Sequence, residues 1–163
     1  MPDWRPGQDF RKIYSANSEM GGGVHLDLFH ELDYVHWIFG TPFSVFSMKS
    51  GKSSLEISAV DYVNYVLGYD SFSVSVVLNY FRRDPKRSLE ILFPDETWNI
   101  DLLKNSIVSS TGEMIFGSDD KFVVADTYKA QMQYFINCLI NNKTPMNTFT
   151  ESLKTLKTCL TNE

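Results

Sequence analysis

The chain is 163 residues long and 43% hydrophobic, enough for one domain with its own core and too apolar for a disordered tail. Fifteen basic against twenty acidic side chains give a net charge of -5, which argues against a broad nucleic-acid footprint. No apolar run nears the roughly 18 residues of a spanning helix, and no charged–apolar–small leader opens the chain, so the expectation is a cytoplasmic protein with no membrane and no nucleic-acid partner.

Residues 1–21 mix Pro, Gly, Asp and Ser without sustained periodicity and read as an irregular polar-aromatic arm. A helix is expected over 22–39, stopped by Gly40 with Pro42 just beyond. From 43 to 117 the chain runs strand after strand. "FSVFSMKS", "DYVNYVLGY", "FSVSVVLNYF" and "SLEILFP" are β-branched and aromatic, and "DETWNID", "KNSIVSS" and "EMIFG" continue more weakly. The links Asp70-Ser71, Asp84-Pro85 and Thr111-Gly112 are short, so the strands should be antiparallel hairpin neighbours, because a parallel neighbour needs a crossover of about a dozen residues. Helices return over 126–160. Tyr128, Met132, Phe135, Ile136, Leu139 and Ile140 recur at helical spacing, and a last helix starts near Thr150 as N-cap. The fold class is therefore α+β: an open, mostly antiparallel β-sheet with helices packed on one face, and 1–163 a single domain. Cys138 and Cys159 are too few for a zinc cage and read as small buried hydrophobes.

At 100° per residue from Asp27, the side chains of Val24, Leu28, Leu32, Val35, Ile38 and Phe39 fall between about 20° and 140°, one apolar stripe for the sheet. Tyr34, His30, Trp37 and Asp33 share a second, polar-aromatic face with Asp27 at its edge. His25 and His36 face away, so a zinc site built from His25, His30 and His36 does not converge, and no metal is expected. Asp27 and His30 are one turn apart; a carboxylate beside an imidazole fixes the ring and suits acid–base work near neutral pH. An exposed face with a satisfied pair fits the same spacing, and the residues leave both readings open. The three glycines allow close backbone approach or positive φ. No G-x-G-x-x-G occurs in the chain, so they are not a dinucleotide fingerprint.

"GGGVHLDLFHELDYVHWIFG", preceded by "DWRPGQDFRKIYSA", resembles the start of the C-terminal domain of the Gfo/Idh/MocA oxidoreductases. The likeness continues through "LNYFRRDPKRSLEI" and "TYKAQMQYFINCLINNKTP" to cover nearly the whole chain. The resemblance implies a dihydrodipicolinate-reductase-like sheet, with helices on one face and a second subunit on the other. It also implies a parent that is an NAD(P)-dependent dehydrogenase of a sugar or nucleotide-sugar. His30 matches the histidine that helps move the hydroxyl proton at the carbon exchanging hydride, and Asp27 matches its assisting carboxylate. Many members space the two as Asp-x-x-x-His, whereas "DLFH" is one residue shorter. The family's Rossmann domain, with its glycine-rich loop and Glu-Lys-Pro motif, has no counterpart in these residues. The chain therefore reads as a substrate-binding and oligomerisation domain, silent on its own, with NAD or NADP held by the full-length parent and none by this part.

By the same resemblance the arm borders the substrate cleft, which makes Arg5, Arg11, Lys12 and Tyr14 candidates for contact, an arginine there suiting a carboxylate or phosphate. Tyr34 and Trp37 offer a wall for an apolar sugar face, and Tyr80 a hydroxyl. Arg82 heads the basic run "RRDPKR", which could meet an anionic nucleotide-sugar; protection of a strand end explains such charges equally well. Strands 61–69 and 72–81 are apolar on both registers, with Val63, Tyr65 and Leu67 on one face and Tyr62, Val66 and Gly68 on the other. Such a sheet needs two covers, so a homodimer through the sheet is expected. The competing reading is a stand-alone binding or dimerisation module with no redox chemistry.

Overall fold

A computed structural model describes Met1, residues 7–117 and residues 123–161. Within them the β-branched and aromatic runs all become strands: β1 Ser44–Ser50, β2 Tyr62–Gly68, β3 Ser73–Asn79, β4 Ser88–Leu92, β5 Thr97–Asp101, β6 Ser106–Ser109 and β7 Met114–Gly117. All their pairings are antiparallel, and the α+β class stands. The strands form two sheets rather than one, in the orders β1-β2-β3 and β4-β5-β6-β7. The hairpin expected at Asp84-Pro85 does not close. Proline lacks the amide a ladder needs, and four cations at 82, 83, 86 and 87 would repel one another across a tight turn.

The sheets belong to two compact units, Met1–Arg83 with Met146–Glu163, and Asp84–Pro145. In the first unit, strand alternation turns Val63, Tyr65, Leu67, Val76 and Leu78 inward, where they are buried with Val24, Leu32, Val35 and Cys159 in one cluster. Helices α1 (Val24–Asp27), α2 (Phe29–Phe39) and α4 (Phe149–Cys159) supply that cover, on one face as expected. The Tyr65 hydroxyl donates to the Cys159 carbonyl at 2.8 Å, and Ser47 Oγ donates to the Thr161 carbonyl at 2.7 Å, so α4 is fastened to β1 and β2. The N-cap of α4 is Thr148, two residues before the expected Thr150, because Thr148 and Glu151 form a reciprocal capping box. The opposite sheet face leaves Phe46, Met48, Val66 and Val77 exposed.

Among its described residues the arm forms 3-10 turns at Phe10–Lys12, Tyr14–Ala16 and Ser18–Met20. The loop after β1 clips it down: the Ala59 amide donates to the Ala16 carbonyl at 3.3 Å, and the Val24 amide to the Val60 carbonyl at 2.8 Å. Leu55 and Ala59 of that loop are buried.

In the second unit β4 to β7 form a meander whose register aligns Leu89, Ile100, Ile107 and Phe116. Helix α3 (Val124–Ile140) carries the expected stripe but leaves Tyr128, Met132, Phe135, Ile136, Leu139 and Ile140 exposed; among its residues only Cys138 is buried. Both cysteines are free and buried. Among the described residues no helix is long and apolar enough to cross a membrane.

Candidate functional site

The expected helix over 22–39 is broken. Val24–Asp27 and Phe29–Phe39 are separate helices joined at Leu28, whose φ of -101° and ψ of 26° leave the helical region. Gly22 and Gly23 lie outside both helices. A Cβ on Gly22 would stand 2.1 Å from the Tyr14 carbonyl oxygen and 2.7 Å from that of Ser15, so only glycine lets the arm lie this close to the helix entry.

That closeness builds the first half of the site. Tyr80, just beyond β3, is fully buried, and its hydroxyl donates to Asp27 Oδ2 at 2.6 Å. Ser15, which is buried, and Tyr14 lie close to the Tyr80 hydroxyl. Burial first, then the hydrogen bond and charge of Asp27, hold the Tyr80 phenol protonated far above its usual range. The donation therefore runs from the Tyr80 hydroxyl to the Asp27 carboxylate. Tyr80 does not offer its hydroxyl to solvent; it orients a carboxylate.

The second half lies one turn later. His30 Nε2 is 3.1 Å from Glu31 Oε1, with the His30 side chain 55% exposed and that of Glu31 only 10%. The partner of the imidazole is thus Glu31, and the partner of Asp27 is Tyr80. The break at Leu28 re-aims the residues on either side, so the spacing that would join Asp27 to His30 on an unbroken helix yields two separate pairs. The imidazole remains half in solvent, as an acid–base group must.

Around this pair the other candidates divide. Tyr14 is half exposed beside Tyr80. Arg11 lies 3.8 Å from Asp9 and places its guanidinium 4.9 Å from the centre of the Phe10 ring; Lys12 is exposed on the same turn. Arg82 has its amide held by the Asn79 side chain at 2.9 Å and is exposed. Tyr34 packs against the core instead of lining an open wall, while Trp37 is 75% exposed. Arg5 lies outside the described residues. His25 is buried, its carbonyl accepting from Cys159 Sγ at 3.2 Å. His36 is lowered in proton affinity by burial against the opposing pull of Asp33. Among the described residues no three metal-ligating side chains gather.

Ser15 and Glu31 are the residues that sequence reasoning missed. Glu31 had a signal: on the same helical wheel it falls at about 40°, inside the apolar stripe, and a carboxylate on a core-facing stripe marks a buried charge that needs a partner. Ser15 had none, because its burial depends on the arm folding onto Gly22.

No protein-family model matches the chain, and no curated protein matches it by sequence. Solved structures do match. Aldose-aldose oxidoreductase from Caulobacter crescentus, complexed with glycerol, superposes with a TM-score of 0.73 at 18% identity over 93% of this chain and 47% of its own. UDP-N-acetylglucosamine 3-dehydrogenase from Acidithiobacillus ferrooxidans gives a TM-score of 0.69 at 17% identity over 84% of this chain and 44% of its own. Biliverdin reductase from Synechocystis sp. PCC 6803, in complex with biliverdin and NADP+, gives 0.70 at 11% identity over 90% of this chain and 47% of its own. The chain thus spans about half the length of the solved structures it matches. At these identities the likeness is one of fold, that of Gfo/Idh/MocA-type oxidoreductases, matched over the share of their length that a C-terminal part would cover.

Proposed function

We propose that the chain is the substrate-binding and oligomerisation part of an NAD(P)-dependent sugar or nucleotide-sugar dehydrogenase. His30 is its proton-exchanging group, and Asp27, held by Tyr80, is the second carboxylate of the cleft. The observation that carries this reading is the half-exposed imidazole paired at 3.1 Å to a nearly buried carboxylate, on a fold shared with oxidoreductases. Tyr14, Arg11, Lys12 and Arg82 are exposed polar side chains of the same unit and are the candidates for contact with a polyhydroxylated, anionic ligand. Two neighbours carry an aldose or a UDP-sugar in their names, which supports a sugar; the biliverdin enzyme shows that the fold admits other substrates.

The dinucleotide does not fit the residues present. The sequence has no G-x-G-x-x-G, and the described strands are antiparallel, so none forms the β-α-β crevice that cradles a pyrophosphate. NAD or NADP therefore belongs to another part of a longer protein. The exposed face of Phe46, Met48, Val66 and Val77 is the surface for a second copy.

Two measurements test the reading. Titration of the labelled chain with UDP-N-acetylglucosamine and with a free aldose should shift amide resonances around Tyr14, Asp27 and His30; shifts elsewhere, or none, count against a substrate site here. Sequencing the gene on the 5′ side should reveal a glycine-rich dinucleotide-binding domain in the same frame. A frame without one refutes the dehydrogenase and leaves a stand-alone binding module.

A further inference from the structure

We propose that Glu31 is the positioning residue of His30, holding its Nε2 so that Nδ1 is the ring nitrogen left to exchange a proton with a ligand hydroxyl. This rests on the reading of His30 as the proton-exchanging group. Neighbouring residues on a helix diverge by about 100° and do not normally meet. A 3.1 Å contact between His30 and Glu31 therefore requires the ring to fold back along the helix instead of extending into solvent. The asymmetry of exposure, 55% for the imidazole against 10% for the carboxylate, makes the ring a cover over a buried anion.

A carboxylate is sequestered at such cost only where partners compensate it. Glu31 lies in the first turn of α2, where the helix dipole favours negative charge, and the N-cap residue Leu28 has no polar side chain to compete for those amides. The carboxylate anchors the ring rather than the reverse, because the less exposed group of the pair is the one fixed by the fold. An ionised carboxylate can only accept, so its closeness to Nε2, at 3.1 Å, favours the proton on that nitrogen, and in the neutral ring Nδ1 then carries the lone pair. When a ligand hydroxyl gives up its proton, the O–H bond breaks and an N–H bond forms at Nδ1. The resulting imidazolium keeps Glu31 as its counter-charge. Asp27 does not fill this role in the structure, where its partner is the Tyr80 hydroxyl at 2.6 Å.

Long-range ¹H–¹⁵N correlation spectra of the His30 ring test the assignment in the chain itself, without cofactor or substrate. The expected result is a single tautomer protonated at Nε2 in the wild type. Glu31→Gln should keep it, because the amide oxygen still accepts, and Glu31→Ala should lose it to exchange between tautomers. A wild-type ring protonated at Nδ1 overturns the proposal whether or not Glu31→Ala folds, as does an Ala variant with the wild-type pattern. In the full-length protein, Glu31→Ala should lower kcat about 10- to 100-fold with little change in KM, and Glu31→Gln should recover part of the loss. Turnover untouched by His30→Ala removes the functional reading and leaves the tautomer standing; turnover lost with His30→Ala but kept with Glu31→Ala removes Glu31 alone.

Discussion

Replacing Tyr80 by Phe deletes the oxygen that donates to Asp27 and leaves the ring in place. The Asp27 carboxylate loses a 2.6 Å donor. A hydrogen bond to a charged group contributes about 1.5–3 kcal/mol, and Phe at a fully buried site recruits no water to replace it, so the unit built on β1 to β3 should lose about that much stability. Native-state hydrogen exchange at the amides of Tyr65 and Leu67, followed through a urea series, reads that unit without the melting of the other. A second signature separates this from simple cavity formation. The folded phenol ionises above its unfolded value, so its contribution to stability is complete below about pH 10, where the unfolded phenol begins to ionise, and is lost as pH rises further. The wild type should therefore lose about 1.4 kcal/mol per pH unit more than Tyr80→Phe above that point. A variant within about 0.5 kcal/mol of the wild type, with the same alkaline slope, refutes the donation from Tyr80 to Asp27.

Gly22→Ala should cost about 2–3 kcal/mol, because its Cβ would meet backbone oxygen at 2.1 Å and the arm would have to lift; circular-dichroism melts check this, and an unchanged midpoint contradicts it. His36→Leu should flatten the acid side of the stability profile. The folded imidazole is depressed, chiefly by burial, so its stability contribution is present above its unfolded value near 6.5 and is lost as pH falls below that. Urea midpoints at pH 7 and pH 5 measure it, and equal losses in the two proteins would rule it out. Val66→Lys, at the centre of the exposed sheet face, should convert a dimer to a monomer by light scattering; a wild type already monomeric at high concentration removes the homodimer.

The strands were legible because each is a β-branched or aromatic run, and the short links at Asp70-Ser71 and Thr111-Gly112 join antiparallel neighbours; the longer loop between β1 and β2 carries no such signal. The split into two sheets was legible too, in Pro85 and its four flanking cations, but only if these are read as blocking a hairpin. The capping box at Thr148 and Glu151 is written in the sequence as T-F-T-E, a stronger start signal than Thr150 alone. Other features were not legible. Leu28 and Phe29 are ordinary helix residues, so nothing local announces the break between α1 and α2. Ser15, Leu55 and Ala59 are buried by contacts between segments some 40 residues apart, as when the Ala59 amide reaches the Ala16 carbonyl. Periodicity reports which face of an element is apolar. It cannot report which loop closes over that face.

The break has a consequence that a double-mutant cycle can measure. On one continuous helix Asp27 and His30 would face each other at i, i+3, and their removal would be coupled. In the structure each has its own partner, on a different element for Asp27 and on the adjacent residue for His30. Asp27→Ala strands the Tyr80 hydroxyl and should destabilise the first unit. His30→Gln disturbs only the Glu31 pair, half in solvent, and should cost about 1 kcal/mol or less. Because neither substitution removes the other's partner, the double variant should equal the sum within about 0.5 kcal/mol. Coupling well above that, by hydrogen exchange in the same amides, would mean that carboxylate and imidazole meet directly. The shortened spacing would then have preserved the pair, and the separate anchoring of His30 by Glu31 would fall.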